Sequence, residues 1–403
     1  MDRRRNPFAP GAGTRPPELA GREQIVEDAS VALDRIKAGR SAKSQMLLGL
    51  RGVGKTVLLN EIARIADEHG YLTIQLEAPE DRGLAEMLTP PLRSVLYKLS
   101  AVEKAKTLAT RGLQTLQSFS SALKLSVGPV ELGVAEPSVA DSGNLENDLP
   151  ELLLLVAEAA EAAEKPVAIF VDEVQYLPGE DLSALIVSVH KVGQRGLPLM
   201  VFGAGLPQLA ALAGEAKSYA ERLFDYPPVG ALETSAAERA ITQPIRDEGA
   251  DIDAAALANI IKQTQGYPYF LQEWGSHAWD AAPQSPVALA DAQKAGVAAL
   301  AAMDKGFFRV RIDRLTPRER DYVRAMAHLG AGPHRSGDIA GLLGVAVTAV
   351  GPLRSALIRK GMIYSPQHGD TAFTVPMFDA FMKRSMPGWA PATARKKKRD
   401  GKR

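Results

Sequence analysis

The chain has 403 residues, 46 % apolar and 24 % charged, which suits a soluble globular protein with room for about two or three domains. A net charge of +1 points to no partner, and the absence of cysteine excludes disulfides, thiol catalysis and thiolate-bound zinc or iron–sulfur centres. Six scattered histidines show no metal-binding spacing, no apolar run reaches the length of a membrane span, and the basic N-terminus lacks a signal-peptide core, so a cytoplasmic chain with no membrane partner is expected.

Residues 1–18, with Arg3, Arg4 and Arg5 among prolines and glycines, read as a flexible basic arm. Leu19-Ala20-Gly21-Arg22-Glu23 opens a helical segment running to about Ala38. Gln45-Met46-Leu47-Leu48 is a short buried strand, and Val57 to Ala66 has apolar residues at helical spacing. Between them, Gly49-Leu50-Arg51-Gly52-Val53-Gly54-Lys55-Thr56 satisfies every fixed position of the phosphate-loop pattern G-x-x-x-x-G-K-[ST]. Glycines let such a loop turn its backbone N–H groups inward at an anion, and the helix N-terminus adds partial positive charge. Gly49, Gly52, Val53, Gly54, Lys55, Thr56 and Val57 are therefore candidate ATP-binding residues, with Lys55 on the β- and γ-phosphates and the Thr56 hydroxyl on Mg²⁺.

Tyr71 to Leu76 alternates like a strand, and 84–118 is mostly helical. Leu123 to Val134 suggests a hairpin around Gly128-Pro129, followed by the polar link Asp141-Ser142-Gly143-Asn144. A helix over Leu149–Glu164 precedes the apolar strand Val167–Val171, which ends in Asp172-Glu173. Further strands are expected at Leu199–Phe202, ending in Gly203-Ala204-Gly205, and at Leu223–Val229. Alternating strands and helices from about 45 to 230 imply an α/β core, a parallel sheet covered by helices, because parallel strands need crossovers. A buried strand would deliver Asp172 and Glu173 to the carboxyl edge of that sheet, where ligands bind. Asp172 would hold Mg²⁺ through a water, and Glu173 would polarise the water attacking the γ-phosphate. Taken alone, an Asp-Glu pair after a strand is also an ordinary helix start.

From Thr234 to about Leu300 the pattern is helical and alanine-rich. Thr316-Pro317-Arg318-Glu319 is a capped helix start, with the helix continuing to about Leu329. A second helix is expected at Ser336–Leu343, and a third from about Ala349 to Lys360 with Pro352 in its first turn. Alternating strands follow at Ile363–Ser365 and Ala372–Val375, around Gln367-His368-Gly369-Asp370. This order reads as a helix-turn-helix with a β-wing, whose third helix could enter a DNA major groove through Arg354, Ser355, Arg359 and Lys360, with Gln367 and His368 on the wing. Such a domain equally serves as a protein-binding or autoinhibitory module. In the terminal run Arg395–Arg403, seven of nine residues are cations, giving salt-sensitive affinity for nucleic acid or merely a solubilising tail.

The phosphate loop, Val167–Glu173 and the Leu19–Glu23 segment together resemble P-loop ATPases on the AAA+/STAND border, in particular those related to bacterial and archaeal replication-origin initiators. The resemblance covers most of residues 19–385 and implies a core over 19–232, a helical lid over 233–303, a winged helix over 304–386 and a basic tail over 387–403. It also implies that Gly21 and Arg22 line the adenine pocket and that Pro268, in Gly266-Tyr267-Pro268-Tyr269, packs near the nucleotide. Arg222 falls where this class often places an arginine finger, reaching a neighbouring subunit of a homo-oligomer; it is also placed as a surface cation would be. The chain departs from the family in two places. No Ser, Thr or Asn stands at Gly203-Ala204-Gly205, and no Gly-x-Arg follows Gly266. The implied activity is therefore a slow, Mg²⁺-dependent ATPase that switches DNA binding or assembly. The alternatives are a STAND-type signalling or defence ATPase with a regulatory winged helix, and a nucleotide binder without useful turnover.

Overall fold

Where residues 167–171 run apolar without alternation, both faces of the strand must be covered, and the structure covers them. The computed structural model describes residues 1–11, 13–79, 82–125, 140–367 and 369–392; most of the expected hairpin at 123–134, His368 and the basic tail from 393 lie outside the described residues. The chain divides into two units, residues 22–49 with 54–229, and residues 1–21 with 50–53 and 230–403.

The first unit runs α1 (Glu23–Lys37), β1 (Ser44–Leu48), α2 (Lys55–Glu68), β2 (Leu72–Glu77), α3 (Leu84–Ser100), α4 (Lys106–Ala122), α5 (Leu145–Ala162), β3 (Val167–Asp172), α6 (Gly179–Gln194), β4 (Leu199–Gly205), α7 (Leu209–Ala216), α8 (Ala220–Leu223) and β5 (Phe224–Asp225). Its five strands are parallel in the order β2-β3-β4-β1-β5. Every residue of β3 and β4 is buried, and Phe170 and Phe202 face each other in register with rings stacked 5.1 Å apart. β1 and β3, which carry the phosphate loop and Asp172, flank β4. Both sequences therefore end on one edge of the sheet with a single strand between them.

Two boundaries differ from expectation for local reasons. α5 begins four residues before Leu149, because the Asn144 side chain caps it by accepting from Asn147 N at 3.2 Å. The fifth strand shrinks from Leu223–Val229 to Phe224–Asp225, because Pro227 and Pro228 have no N–H to give a ladder. Their segment is tied instead by Leu48 N to Pro227 O at 3.0 Å and Val229 N to Leu48 O at 2.6 Å.

The second unit holds α9 (Thr234–Asp247), α10 (Ala254–Thr264), α11 (Pro268–Ala281) and α12 (Leu289–Met303), then a π-helical turn at Asp304–Phe308. α13 (Arg309–Asp313), α14 (Pro317–Leu329), β6 (His334–Arg335), α15 (Ser336–Leu343), α16 (Val347–Arg359), β7 (Ile363–Tyr364), β8 (Asp370–Phe373) and α17 (Phe378–Ser385) follow. The three strands form an antiparallel sheet in the order β6-β8-β7. Thr316 and Glu319 close a reciprocal cap on α14. α16 starts two residues before Ala349, so Pro352 is its sixth residue and not in the first turn. Pro352 is exposed there, and an N–H that would bond the Thr348 carbonyl is missing. Among the described residues no single helix is long and apolar enough to cross a membrane.

The first nine residues are not a flexible arm. Phe8 is 6 % exposed, its ring close against Gly275 of α11. The Asn6 amide donates to Ser276 O at 3.1 Å and Asp280 Oδ1 at 2.9 Å, and Trp279 Nε1 donates to Asp2 O at 2.9 Å. Arg5 pairs with Glu248, just after α9, at 2.9 Å, and Arg3 with Asp280 of α11 at 3.7 Å, so these two cations lie against the helices of this unit. Phe8→Ala is expected to cost about 3 kcal/mol, the lower end for a buried phenylalanine, and to open Arg3–Arg5 to trypsin. Thermal unfolding and timed proteolysis read both effects; an unchanged cleavage pattern would mean that Phe8 does not hold the arm.

Candidate nucleotide site

Gly52 and Gly54 adopt φ of +83° and +93°, conformations that L side chains avoid, and Gly54 is the residue that turns into α2. The turn brings Lys55 to the first helical position, 6 % exposed, with Nζ donating to Gly49 O at 3.0 Å. Gly49 N is itself held by Gly205 O at 3.0 Å, so the start of the loop is fixed to the end of β4. Val53 is buried.

Across the sheet edge, Thr56 Oγ1 donates to Asp172 Oδ2 at 2.5 Å. Asp172 is 8 % exposed, and its other oxygen accepts from Glu173 N at 2.8 Å. Burial pushes the Asp172 carboxyl up from its ordinary value, as does the Glu173 charge, while the bonds from Thr56 and Glu173 N and the nearby Lys55 act against that. A hydroxyl and a carboxylate meeting beside a lysine are hard oxygen donors of the kind Mg²⁺ takes, and they fit the ion. Among the described residues no cluster of three or more His, Cys, Asp or Glu could hold a metal ion by itself.

Glu173 has φ +52°, a strained left-handed conformation that turns the chain out of β3. Its Oε2 accepts from Gln175 Nε2, and Gln175 Oε1 accepts from Leu206 N at 3.0 Å. Gln175 escapes a motif reading because nothing in the sequence links it to Leu206. It supplies a polar group at the end of β4, where no Ser, Thr or Asn stands.

Of the remaining candidates, Arg22 is buried as the residue before α1, where desolvation lowers its pKa. Arg222 is exposed on α8. In the second unit, Gly21 packs close to Ala236, and Pro268 opens α11. The loop tip 50–53 belongs to this unit. Tyr269 N donates to Gly52 O at 3.2 Å, the Tyr267 hydroxyl donates to Arg51 O, and Arg51 N donates to Thr374 O at 3.0 Å. Phe307 stacks on Tyr269 at 4.8 Å and lies under the Arg311 guanidinium at 3.8 Å. Burial, then repulsion from Arg51, lowers Arg311 to about 10.

The expected DNA contacts divide. Ser355 and Arg359 are exposed on α16. Arg354 is turned inward, bonding Thr371 Oγ1 at 3.0 Å, Ser365 Oγ at 2.6 Å and Asp370 O at 3.0 Å. Lys360 bonds Glu319 Oε2 at 2.7 Å and Arg314 O at 3.1 Å. Both cations hold the C-terminal sheet and helices together.

Comparison with known proteins agrees with the core. Residues 18–202 match the AAA ATPase domain family, and residues 305–382 match a domain family of unknown function, DUF8462. A search of curated proteins gives no match. Among solved structures, a Walker-type ATPase of Pyrococcus abyssi is 17 % identical with a TM-score of 0.56, over 92 % of this chain and 97 % of that one. The Orc1 protein of Aeropyrum pernix, solved with DNA, is 14 % identical with a TM-score of 0.46, over 92 % and 94 %. The RuvB Holliday junction branch migration motor of Thermotoga maritima is 14 % identical with a TM-score of 0.43, over 90 % and 96 %. At 17 % identity the likeness to the Pyrococcus abyssi ATPase is one of fold alone. The parallel sheet, the phosphate loop and the likeness to the Pyrococcus ATPase give the chain the fold of a P-loop ATPase, and its residues 18–202 are similar to the AAA ATPase domain family.

Proposed function

We propose that the chain binds ATP with Mg²⁺ and hydrolyses it slowly, as a nucleotide switch that controls DNA binding or assembly through its C-terminal winged helix. The observation that carries the reading is the meeting of Thr56 and Asp172 at 2.5 Å beside Lys55. Lys55 binds the phosphates, Thr56 and Asp172 hold the ion, and Glu173 takes a proton from water. The water oxygen bonds to the γ-phosphorus as the β–γ bridging oxygen leaves with ADP. Mg²⁺ supplies charge stabilisation at the phosphates.

Gel-shift titrations with ATP or ADP, with and without residues 387–403 and at two salt concentrations, test the DNA half of the reading. Winged-helix recognition survives removal of the tail and depends on the nucleotide. Tail electrostatics vanish with truncation and fall steeply with salt. Arg222 is proposed as a finger in a homo-oligomer. Mixing Arg222→Ala with Lys55→Ala chains then places a working loop and a working finger at shared sites, and the mixture is expected to hydrolyse ATP faster than either variant alone. Additive rates would remove Arg222 from the centre.

A second reading, a STAND-type signalling ATPase, is favoured by the contact of Arg51 N with Thr374 O and by the inward bonds of Arg354 and Lys360. In that reading the winged helix holds the loop tip and reads no DNA. Absence of a gel shift in every arm, with ATP binding intact, selects it.

A further inference from the structure

We propose that Gln175 is a positioning residue for hydrolysis, orienting the Glu173 carboxylate and tying it to the end of β4. The proposal rests on the ATPase reading above and assigns a role to a residue outside the phosphate-loop and Asp-Glu motifs. Gln175 lies in the turn Val174–Tyr176 that follows β3. Its two amide atoms are committed in opposite senses, Oε1 accepting from Leu206 N at 3.0 Å and Nε2 donating to Glu173 Oε2. A backbone N–H can only donate, so the Leu206 bond sets the orientation of the amide and leaves Nε2 for the carboxylate.

The surroundings are built around this bridge. A Cβ at Gly205 would lie 2.7 Å from Gln175 Oε1, so a side chain at that position would displace the amide. Gly205 O meanwhile holds Gly49 N at 3.0 Å. One run of bonds therefore joins the start of the phosphate loop, the end of β4, Gln175 and Glu173. Glu173 is fixed twice, through its N–H to Asp172 Oδ1 at 2.8 Å and through Oε2 to Gln175. With Oε2 held, Oε1 is the oxygen left to accept a proton from the attacking water. A base oriented by a third group is the arrangement that efficient proton transfer requires.

A merely structural role, capping the end of β4, is separated from positioning by Gln175→Glu. The new carboxylate still accepts from Leu206 N, but it cannot donate to Glu173 and repels it. Positioning predicts that Gln175→Glu and Gln175→Ala both lower kcat at least tenfold with KM for ATP within twofold. A cap alone predicts wild-type kcat in Gln175→Glu, and that result overturns the proposal, as does any rise in kcat or a loss expressed in KM. A second measurement needs no turnover. In the full chain, the Gln175 side-chain amide protons, assigned by their absence in Gln175→Ala, are expected to shift in Glu173→Gln, where the acceptor loses its charge. Unchanged amide resonances overturn the bridge itself. Shifted resonances in a wild-type chain that hydrolyses no ATP would uphold the bridge and refute the ATPase reading.

Discussion

Lys55→Ala is expected to abolish nucleotide binding while leaving the fold intact. Lys55 is the fixed lysine of the phosphate-loop motif, 6 % exposed, with its ammonium on Gly49 O at 3.0 Å. Binding transfers that ammonium to phosphate oxygens, in a pocket where water screens little. Truncating one partner of such a desolvated charge pair costs about 2–5 kcal/mol, and at 1.4 kcal/mol per tenfold the dissociation constant should rise by roughly 30- to 3,000-fold. The fold loses far less, since the bond from Lys55 to the Gly49 carbonyl is worth about 1 kcal/mol. Titration with a fluorescent ATP analogue, paired with thermal unfolding, separates the two effects. An affinity within threefold of wild type would remove the loop from nucleotide binding.

What the sequence makes legible follows from how far apart the interacting residues lie. The loop is readable because glycines, lysine and threonine act within eight consecutive positions, and their backbone conformations are local properties. β3 is readable because a short apolar run can only be a buried strand beside such a loop. Gln175 is not readable, since its meaning depends on Leu206, 31 positions away, and on the missing side chain of Gly205. Arg354 and Lys360 look from their spacing like surface cations on a recognition helix. Only tertiary structure supplies Thr371, Ser365 and Glu319 as partners, and a partnered cation is poorly placed for phosphate. The N-terminal arm misleads in the same way. Its composition is that of a disordered segment, yet a single aromatic, Phe8, and the polar residues of α11 are enough to hold it.

Glu173→Gln should separate binding from chemistry. Asp172 has both oxygens engaged, by Thr56 and by Glu173 N, so it suits the ion and is poorly placed to take a proton. Glu173 has one oxygen held by Gln175. A glutamine at position 173 keeps the length of the side chain, and its carbonyl oxygen still accepts from Gln175, so the geometry persists while the basicity is gone. General-base catalysis contributes roughly 10²–10⁴-fold, so turnover should fall by that factor, about 3–5 kcal/mol in the barrier. ATP affinity should stay within a few-fold of wild type, leaving the chain loaded with ATP. Asp172→Asn makes the contrast, because it weakens the Mg²⁺ site and should lower ATP affinity mainly when Mg²⁺ is present. Single-turnover hydrolysis and nucleotide content after desalting measure both variants. If Glu173→Gln hydrolyses ATP at the wild-type rate, the base lies elsewhere, and the left-handed turn at Glu173 needs another explanation.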